Sequence, residues 1–252
     1  MKKMQWIGLL LLGVSLGSSA LDLKGVLDVG SNAVKAATFS DEDARKLADQ
    51  ACPYMDSQAK IAPDNSKYVQ RLNAIAKKLN VKEVSGAKTN YKVYLTSDIN
   101  AWAMANGCIR VYSGLMDLMT DDEVMGVVGH EIGHVALGHS RKRMQVAYAT
   151  AAARGAAAAS GNSTVATLSQ SELGDLSESL LKAQHSQSNE SESDDYSFDL
   201  LVKNKLDPSG LISGFKKLAE LGGGKSDMFS SHPSSDDRAS RLEARMKNEL
   251  GK

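Results

Sequence analysis

The chain has 252 residues, of which 42% are hydrophobic and 24% are charged, as in an ordinary globular protein. Its 30 Lys and Arg residues balance 30 Asp and Glu residues, so it lacks the basic excess that is typical of nucleic-acid-binding proteins. Two cysteines are too few for a disulfide scaffold or a four-thiolate zinc site, and an aromatic content of 5% argues against a base-stacking surface.

Residues 1–20 have the pattern of a secretory signal peptide. Lys2 and Lys3 precede a short apolar stretch, and Ser18 and Ala20 supply the small residues that favour cleavage after Ala20. An uncleaved anchor is the alternative, but the apolar stretch is shorter than the roughly 20 residues that cross a bilayer. No cysteine lies near the predicted cleavage site, so we expect no lipoprotein anchor.

Export would bring both cysteines into an oxidising compartment. An even pair favours one disulfide there, so we predict a bond between Cys52 and Cys108, with two buried thiols as the alternative. Neither cysteine belongs to a Cys-x-x-Cys pair, which argues against a redox enzyme. We interpret residues 21–39 as a flexible extension and residues 40–252 as a single domain.

The first part of this domain is predicted to contain two helices and then two strands. An acidic start predicts a helix over residues 40–50, and apolar residues at helical spacing predict a second one over 65–79. Alternating β-prone residues predict strands over 91–95 and 108–112, and the second strand leads into a short helical stretch over 113–119.

The rest of the domain is predicted to be mainly helical. A capping box, with Thr120 at the N-cap and Glu123 three residues later, opens a helix that runs through Val135. Residues 143–187 are rich in Ala, Ser and Gly and are predicted to form helices around a mobile loop at 160–164. Three further helices are predicted, over residues 189–201, 210–221 and 236–250. Since helices dominate and the strands are few, the fold class is α+β.

The segment His130-Glu131-Ile132-Gly133-His134 carries the clearest chemical signal. Two histidines at positions i and i+4 share one helix face, so both imidazoles can reach one ion, and zinc accepts neutral imidazole nitrogen. Glu131 can take a proton from a water molecule at the metal, whose pKa the metal lowers. This is the signature of a zinc peptidase; a helix with two surface histidines is the alternative.

Two other histidines are weaker candidates for a third ligand. At about 100° per residue, His139 falls on the helix face opposite His130, so we interpret His139 as structural. The spacing of the metzincins would also require glycine and histidine where Leu137 and Ser140 stand. His185 has no partner at ligand spacing and is interpreted as a surface residue.

The acidic cluster Glu190–Asp195 is the alternative source of a third ligand. Glu190 and Asp194 share a helix face, so one could bind zinc while the other accepts a hydrogen bond from a ligand histidine. Spacing alone leaves the choice between Glu190 and Glu192 open. An exposed acidic helix start, favoured by the helix dipole, would explain the same residues without a metal.

Several segments together resemble the HtpX-like and CAAX-protease-like zinc metallopeptidases. These segments are the histidine motif at 130–134, the acidic cluster, and Ser231-His232-Pro233 followed by Arg238. Residues 100–116 are also similar to the corresponding segment of that family. The chain also resembles the periplasmic YggG/LoiP-type members of that family.

The resemblance implies a zincin-like (gluzincin) catalytic domain of the α+β class, mainly helical, with a small antiparallel sheet beside the motif helix. One Zn²⁺ per chain would bind His130, His134 and Glu190. Asp194 would orient a ligand histidine, and Arg238 would support the site.

The resemblance also implies two catalytic residues and a substrate strand. Glu131 would activate the water, and His232 would help to stabilise the tetrahedral intermediate. Ile109, Arg110 and Val111 would form a strand whose edge binds the substrate as an added strand, through main-chain hydrogen bonds.

The predicted function is therefore a zinc-dependent endopeptidase of the bacterial cell envelope. Its substrates would be misfolded or membrane-associated polypeptides, and no nucleic-acid partner is expected. The predicted location is the periplasm, with the protein either soluble or peripherally associated with the envelope. The alternative is a non-catalytic or latent factor that binds envelope proteins for quality control.

Overall fold

The computed structural model describes residues 39–153, 165, 167–221, 232 and 236–251. The predicted signal peptide, nearly all of the predicted extension and the predicted loop at 160–164 lie outside the described residues. Among the described helices, none has the length and apolar character that a membrane span requires.

In the described residues, two helices are followed by five short strands and then by seven helices, a segregated order that is typical of an α+β protein. The first helices and the strands are α1 (Asp41–Gln58), α2 (Lys67–Leu79), β1 (Glu83–Val84), β2 (Ala87–Lys88), β3 (Asn90–Tyr94), β4 (Ala101–Ala103) and β5 (Cys108–Tyr112). The later helices are α3 (Ser113–Leu118), α4 (Asp121–Ala136), α5 (His139–Ala153), α6 (Gln170–Lys182), α7 (Gln187–Lys203), α8 (Ser209–Leu221) and α9 (Asp236–Leu250).

Most predicted elements are found with small shifts at their ends. The largest difference is in α1, which continues past Gln50 to Gln58 because its buried face extends through Cys52 and Met55. Strand β4 was not predicted, since Ala101–Ala103 is short and alanine has little β-propensity. The capping box at Thr120 is present, with its side chain accepting from the Glu123 N–H and the Glu123 carboxylate accepting from the Thr120 N–H.

The main sheet is small and mixed. Its strand order is β3-β5-β4, with β3 parallel and β4 antiparallel to β5, and β4 joins β5 through a turn in which the Gly107 N–H donates to the Met104 carbonyl. Strands β1 and β2 form a separate antiparallel pair. The expected small sheet is thus present, but a parallel pair accompanies the antiparallel ones.

This strand order corrects the predicted substrate strand. Ile109, Arg110 and Val111 lie in β5, which pairs on one side with β3 and on the other with β4. Both edges of β5 are therefore occupied, and an added strand cannot pair with it. The edge strand on that side of the sheet is β4, with Ala101 opposite Val111 and Ala103 opposite Ile109.

The sheet separates two apolar cores because successive side chains in a strand point to opposite faces. Ala101, Ala103, Ile109 and Val111 face a core built largely from α2, α4, α7 and α8. On the other face, a second core contains Tyr94, Trp102 and Tyr112, and its remaining side chains come mainly from α1, α5 and α6.

The second core is crosslinked by the predicted disulfide. Cys52 of α1 is bonded to Cys108 of β5, with their Cα atoms 6.6 Å apart, which confirms that prediction. Closing a loop of this length stabilises the folded chain by about 4 kcal/mol in the chain-entropy account. The bond therefore fixes α1 against the central strand of the sheet.

An ion pair lies directly beside this disulfide. Buried Arg110 donates to both oxygens of Asp56, at 2.7 and 2.9 Å, while Lys92 and Tyr94 donate to the same carboxylate at 2.7 and 2.8 Å. Burial alone would raise the pKa of Asp56, but the hydrogen bonds from Arg110, Lys92 and Tyr94 outweigh it and lower the pKa to about 2. Arg110 is thus buried in a structural ion pair and does not face a substrate.

Three glycines allow two later helices to cross α4 closely. A Cβ atom on Gly126 would lie 2.6 Å from Leu211 Cα of α8, and one on Gly129 would lie 2.5 Å from Ser197 Oγ of α7. At Gly133 the same atom would meet the Ser193 carbonyl oxygen at 3.1 Å. These close approaches bring the start of α7, with its acidic residues, over the histidine motif of α4.

Candidate active site

All five histidines of the chain lie together in one buried cluster. His130 and His134 come from α4, His139 begins α5, His185 precedes α7, and His232 lies between α8 and α9. Each ring centroid lies within 6.4 Å of at least one other histidine ring centroid in the group. Four separate segments of the sequence therefore meet at one place.

Four of the buried side chains point donor atoms at a common point. One ligand atom from each of His130, His134, Glu190 and His232 lies within 4.8 Å of the others. His134 Nε2 is 2.9 Å from His130 Nε2 and 3.3 Å from Glu190 Oε1. His232 Nδ1 is 3.1 Å from Glu190 Oε1, so this imidazole belongs to the same group.

The charges at this point are set by burial and by the facing groups. Burial alone would raise the pKa of Glu190, but the imidazoles of His232, His130 and His134 lower it, so the carboxylate is ionised. Burial alone would lower the pKa of His130, but hydrogen bonds from its ring to Asp194 and Glu190 raise it to about 9. The carboxylates thus favour positive charge at this position.

Asp194 and Arg238 hold the group from its outer side. Asp194 Oδ1 lies 2.8 Å from His130 Nδ1, so it accepts the proton of that nitrogen and orients Nε2 toward the common point. Arg238 donates from Nε to Asp194 Oδ2 at 2.8 Å, and its Nη1 is 2.8 Å from Glu190 Oε2. One guanidinium therefore links both buried carboxylates.

Glu131 lies beside the group with an unpartnered oxygen. Glu131 Oε1 and His232 Nε2 are 3.4 Å apart, both atoms are buried, and neither has a hydrogen-bond partner within the described residues. Burial raises the pKa of Glu131. The Glu131 carboxylate is therefore a stronger base than a solvent-exposed glutamate.

The geometry separates the two glutamates that sequence spacing left open. Glu190 is fully buried and faces the histidines, whereas the side chain of Glu192 is 55% exposed and contacts Ser188 and, through 3.1 Å from Oε2 to Nε2, His139. The two residues lie on different faces of α7, so only Glu190 joins the four donor residues.

Comparison with known proteins identifies the family. The profile of peptidase family M48 matches residues 64–246, well over half of the chain. The chain belongs to peptidase family M48. It is 53% identical to metalloprotease LoiP of Escherichia coli (strain K12) over 91% of each chain. It is 51% identical to metalloprotease YcaL of the same organism, over 90% of this chain and 89% of that protein.

A more distant relative is longer. The chain is 26% identical to the beta-barrel assembly-enhancing protease of Yersinia pestis over 84% of its own length, which corresponds to 45% of that protein. The predicted family and the predicted class of metallopeptidase are thereby confirmed. A peptidase of family M48 acts on polypeptides and depends on zinc.

The donor group fits the zinc of an M48 peptidase in kind and in spacing. Zinc accepts imidazole nitrogen and carboxylate oxygen, and ligands about 2.0–2.1 Å from a tetrahedral ion lie roughly 3.4 Å apart. The contacts between His130, His134, Glu190 and His232 range from 2.9 to 3.5 Å. Burial lowers the pKa of His134, which keeps its imidazole neutral, as a zinc ligand requires.

His185 differs from its sequence-based interpretation, and His139 agrees with its interpretation for a different reason. The surface assignment of His185 is wrong: the residue is 5% exposed and stacks on His134 with ring centroids 3.8 Å apart. His139 lies outside the four-donor group, but not because of its position on a continuous helix. Helix α4 ends at Ala136, and Gly138 with φ +75° turns the chain so that His139 returns to His134.

Proposed function

We propose that this M48 chain is a zinc-dependent endopeptidase of the bacterial cell envelope, with His130, His134 and Glu190 as zinc ligands. The observation that carries the proposal is the convergence of these buried donors beside an unpartnered Glu131 oxygen. When bound, zinc lowers the pKa of a coordinated water and polarises the scissile carbonyl.

The side chains around the metal each have a separate task. Asp194 accepts the His130 Nδ1 proton and so directs Nε2 toward the metal. Arg238 holds the carboxylates of Asp194 and Glu190 in place. Glu131 Oε1 takes the proton from the attacking water and later passes it to the leaving amine nitrogen, which its raised pKa favours.

Replacement of Glu131 tests this assignment. We expect Glu131→Gln to keep its zinc and to lose casein cleavage by roughly 10²–10⁴-fold, the usual contribution of a general base. Glu83→Gln, the same change at an exposed position of β1, is the control and should cleave casein at the wild-type rate. Full casein cleavage by a zinc-loaded Glu131→Gln variant would refute the mechanism.

The outer edge of β4 supports substrate binding as an added strand. The Met104 N–H donates to the Cys108 carbonyl, and the Tyr112 N–H donates to the Asn100 carbonyl. In an antiparallel pair, bonded and non-bonded positions alternate, so Ala101 and Ala103 direct their N–H and C=O groups away from β5. Two of these groups have side-chain partners, since the Ala101 N–H donates to Asn100 Oδ1 and the Ala103 carbonyl accepts from Ser140 Oγ. An extended polypeptide can pair with the Ala103 N–H and the Ala101 carbonyl, next to the helix that carries Glu131.

A proline at this edge tests that binding mode. Ala103→Pro removes an N–H that points away from β5, so the ladder between β4 and β5 is kept. We expect a higher KM for a casein-derived peptide with unchanged zinc content. An unchanged KM would argue against pairing at β4.

His232 supports two forms of this function. The 3.4 Å contact between its Nε2 atom and Glu131 Oε1 supports the first form, in which Nε2 donates to a developing oxyanion. Its Nδ1 atom lies among the zinc donors, and as a fourth ligand it would fill the position that a catalytic zinc keeps open, which favours a latent state. Slower casein cleavage by His232→Ala would support the first role, and faster cleavage would support the second.

The cell envelope as the site of action is part of the proposal. The disulfide between Cys52 and Cys108 is compatible with an oxidising compartment, and residues 1–20 have the pattern of a signal peptide. The longer relative named as a beta-barrel assembly-enhancing protease favours misfolded or membrane-associated envelope proteins as substrates. N-terminal sequencing of the periplasmic protein should find residue 21 first; a cytoplasmic, uncleaved chain would contradict the assignment.

A further inference from the structure

The outer nitrogen of His134 has a partner that the proposed mechanism does not use. His134 Nδ1 lies 3.2 Å from His139 Nδ1, on the side of the ring away from His130 and Glu190. His139 Nε2 in turn lies 3.1 Å from Glu192 Oε2. Both imidazoles are buried, whereas the Glu192 carboxylate reaches solvent. A chain of contacts therefore runs from the surface to one proposed zinc ligand.

The exposed residue Glu192 sets the direction of the hydrogen bonds along this series of contacts. An exposed carboxylate is ionised at neutral pH and can only accept, so the proton on the facing nitrogen belongs to His139 Nε2. In a neutral imidazole the other nitrogen, His139 Nδ1, then carries a lone pair. The proton between the two rings must come from His134 Nδ1, which leaves a lone pair on His134 Nε2.

A second contact of His139 agrees with this direction. Ser193 Oγ lies 3.2 Å from His139 Nδ1, and a hydroxyl group can donate to that nitrogen. The other ligand histidine has a comparable arrangement, because Asp194 accepts the proton of His130 Nδ1. Both imidazoles are thus held so that their Nε2 atoms face the same point, 2.9 Å apart.

We propose that His139, held by Glu192, is a positioning residue that fixes the tautomer and the ring orientation of His134 for zinc binding. The inference rests on the proposed function, since it requires His134 to bind zinc. Ligand histidines in zinc sites commonly donate their other N–H to an oriented acceptor, and loss of that acceptor weakens metal binding roughly 10–100-fold. Here the acceptor is a second imidazole backed by a carboxylate.

The backbone explains how a residue so close in sequence can serve His134. The Leu137 N–H closes the last turn of α4 on the Gly133 carbonyl, and Gly138 then takes φ +75°, a conformation that favours glycine. Helix α5 begins directly at His139. The two helices thus meet at an angle that directs the first side chain of α5 back onto the last turn of α4.

Zinc affinity, measured by competition with a chromophoric chelator, tests the proposal without relying on cleavage. His139→Phe keeps a ring but removes the acceptor, and we expect its zinc Kd to rise roughly 10–100-fold. His139→Asn places an amide oxygen near the position of Nδ1 and should recover most of that loss. His185→Phe is the matched control, because it keeps the stacking on His134 and breaks no hydrogen bond to it; its zinc Kd should equal that of the wild type.

The outcomes separate this inference from the proposed function. If the wild type binds no zinc, the proposed metal site is refuted, and the inference falls with it. If the wild type binds zinc and His139→Phe binds it equally well, only the role of His139 is refuted. An equal loss in His139→Phe and His185→Phe would reduce that role to packing and would also overturn it.

A surface substitution keeps the test decisive if His139→Phe does not fold. Glu192→Leu removes the carboxylate at a position that is 55% exposed, so the core is untouched. Without the acceptor on His139 Nε2, the hydrogen-bond direction is no longer imposed, and we expect the zinc Kd to rise about tenfold, the lower end of the same range. An unchanged Kd in the folded Glu192→Leu variant would overturn the proposal.

Discussion

At the close crossing of α4 and α7, we expect substitutions of Gly129 and Ser197 to have strongly coupled effects on the free energy of unfolding. A substitution of Ser197 should relieve the cost of one at Gly129. A Cβ atom on Gly129 would lie 2.5 Å from Ser197 Oγ, but 3.4 Å from Ser197 Cβ and 3.6 Å from Ser197 Cα. The severe overlap is therefore confined to one oxygen atom. That oxygen donates to the Gly126 carbonyl at 2.8 Å and is fully buried, so it cannot move without losing a hydrogen bond.

The magnitudes follow from these contacts. Gly129→Ala alone should cost about 1–3 kcal/mol of overpacking, offset by about 1 kcal/mol of improved helix propensity. Ser197→Ala alone should cost about 1 kcal/mol for the lost hydrogen bond. In the double variant the overlap disappears, and Gly129→Ala then becomes stabilising. The coupling free energy between the two sites is thus expected to be about 1–3 kcal/mol.

Urea denaturation of the four proteins, with a chelator present so that metal binding does not contribute, measures this coupling. The same proteins should show the effect on the site: Gly129→Ala moves α7, and with it Glu190, away from His130, so its zinc affinity should fall and should recover in the double variant. Additive free energies of unfolding, with Gly129→Ala equally destabilising in both backgrounds, would refute the account of the crossing.

Two further predictions concern the second core. Because the pKa of Asp56 is lowered to about 2, the Asp56–Arg110 pair should contribute about 2 kcal/mol of stability above pH 4 that is lost as the pH falls toward 2. Asp56→Asn should remove that pH dependence in urea denaturation, whereas an unchanged acid limb would contradict it. A double Cys52→Ser/Cys108→Ser variant should lose about 4 kcal/mol of unfolding free energy, and the wild type should match it after reduction. Stability that is insensitive to reductant would contradict this estimate.

The motif helix could be predicted in detail because its signals are local. A capping box at Thr120 and histidines one turn apart specify a helix, its start and its metal-facing side within fifteen residues of sequence. Local sequence signals of this kind could not decide between Glu190 and Glu192. The choice depended on which face of α7 meets α4, and the small residues Gly129 and Gly133 decide that through the close crossing.

Strand order was beyond the reach of the sequence pattern. The alternation in residues 108–112 correctly predicts a strand, but a fully buried strand has the same pattern whether it lies at the centre or at the edge of a sheet. The edge strand β4 consists of Ala101, Trp102 and Ala103, which carry little strand signal. The family resemblance implied a substrate strand at Ile109–Val111, and nothing in the sequence pattern indicated that β4 covers that edge.

The positions of His139 and His185 also could not be predicted from sequence spacing. A search for ligands at helical spacing tests only side chains on one continuous helix, and Gly138 ends that helix before His139 is reached. His185 lies outside any such spacing and reaches His134 only because α7 packs on α4. The composition did indicate candidates. The chain has only five histidines and two of them belong to the zinc motif, so the other three were candidates for positions near the same site. The composition does not show that all five histidines are buried together, because that depends on how the helices pack.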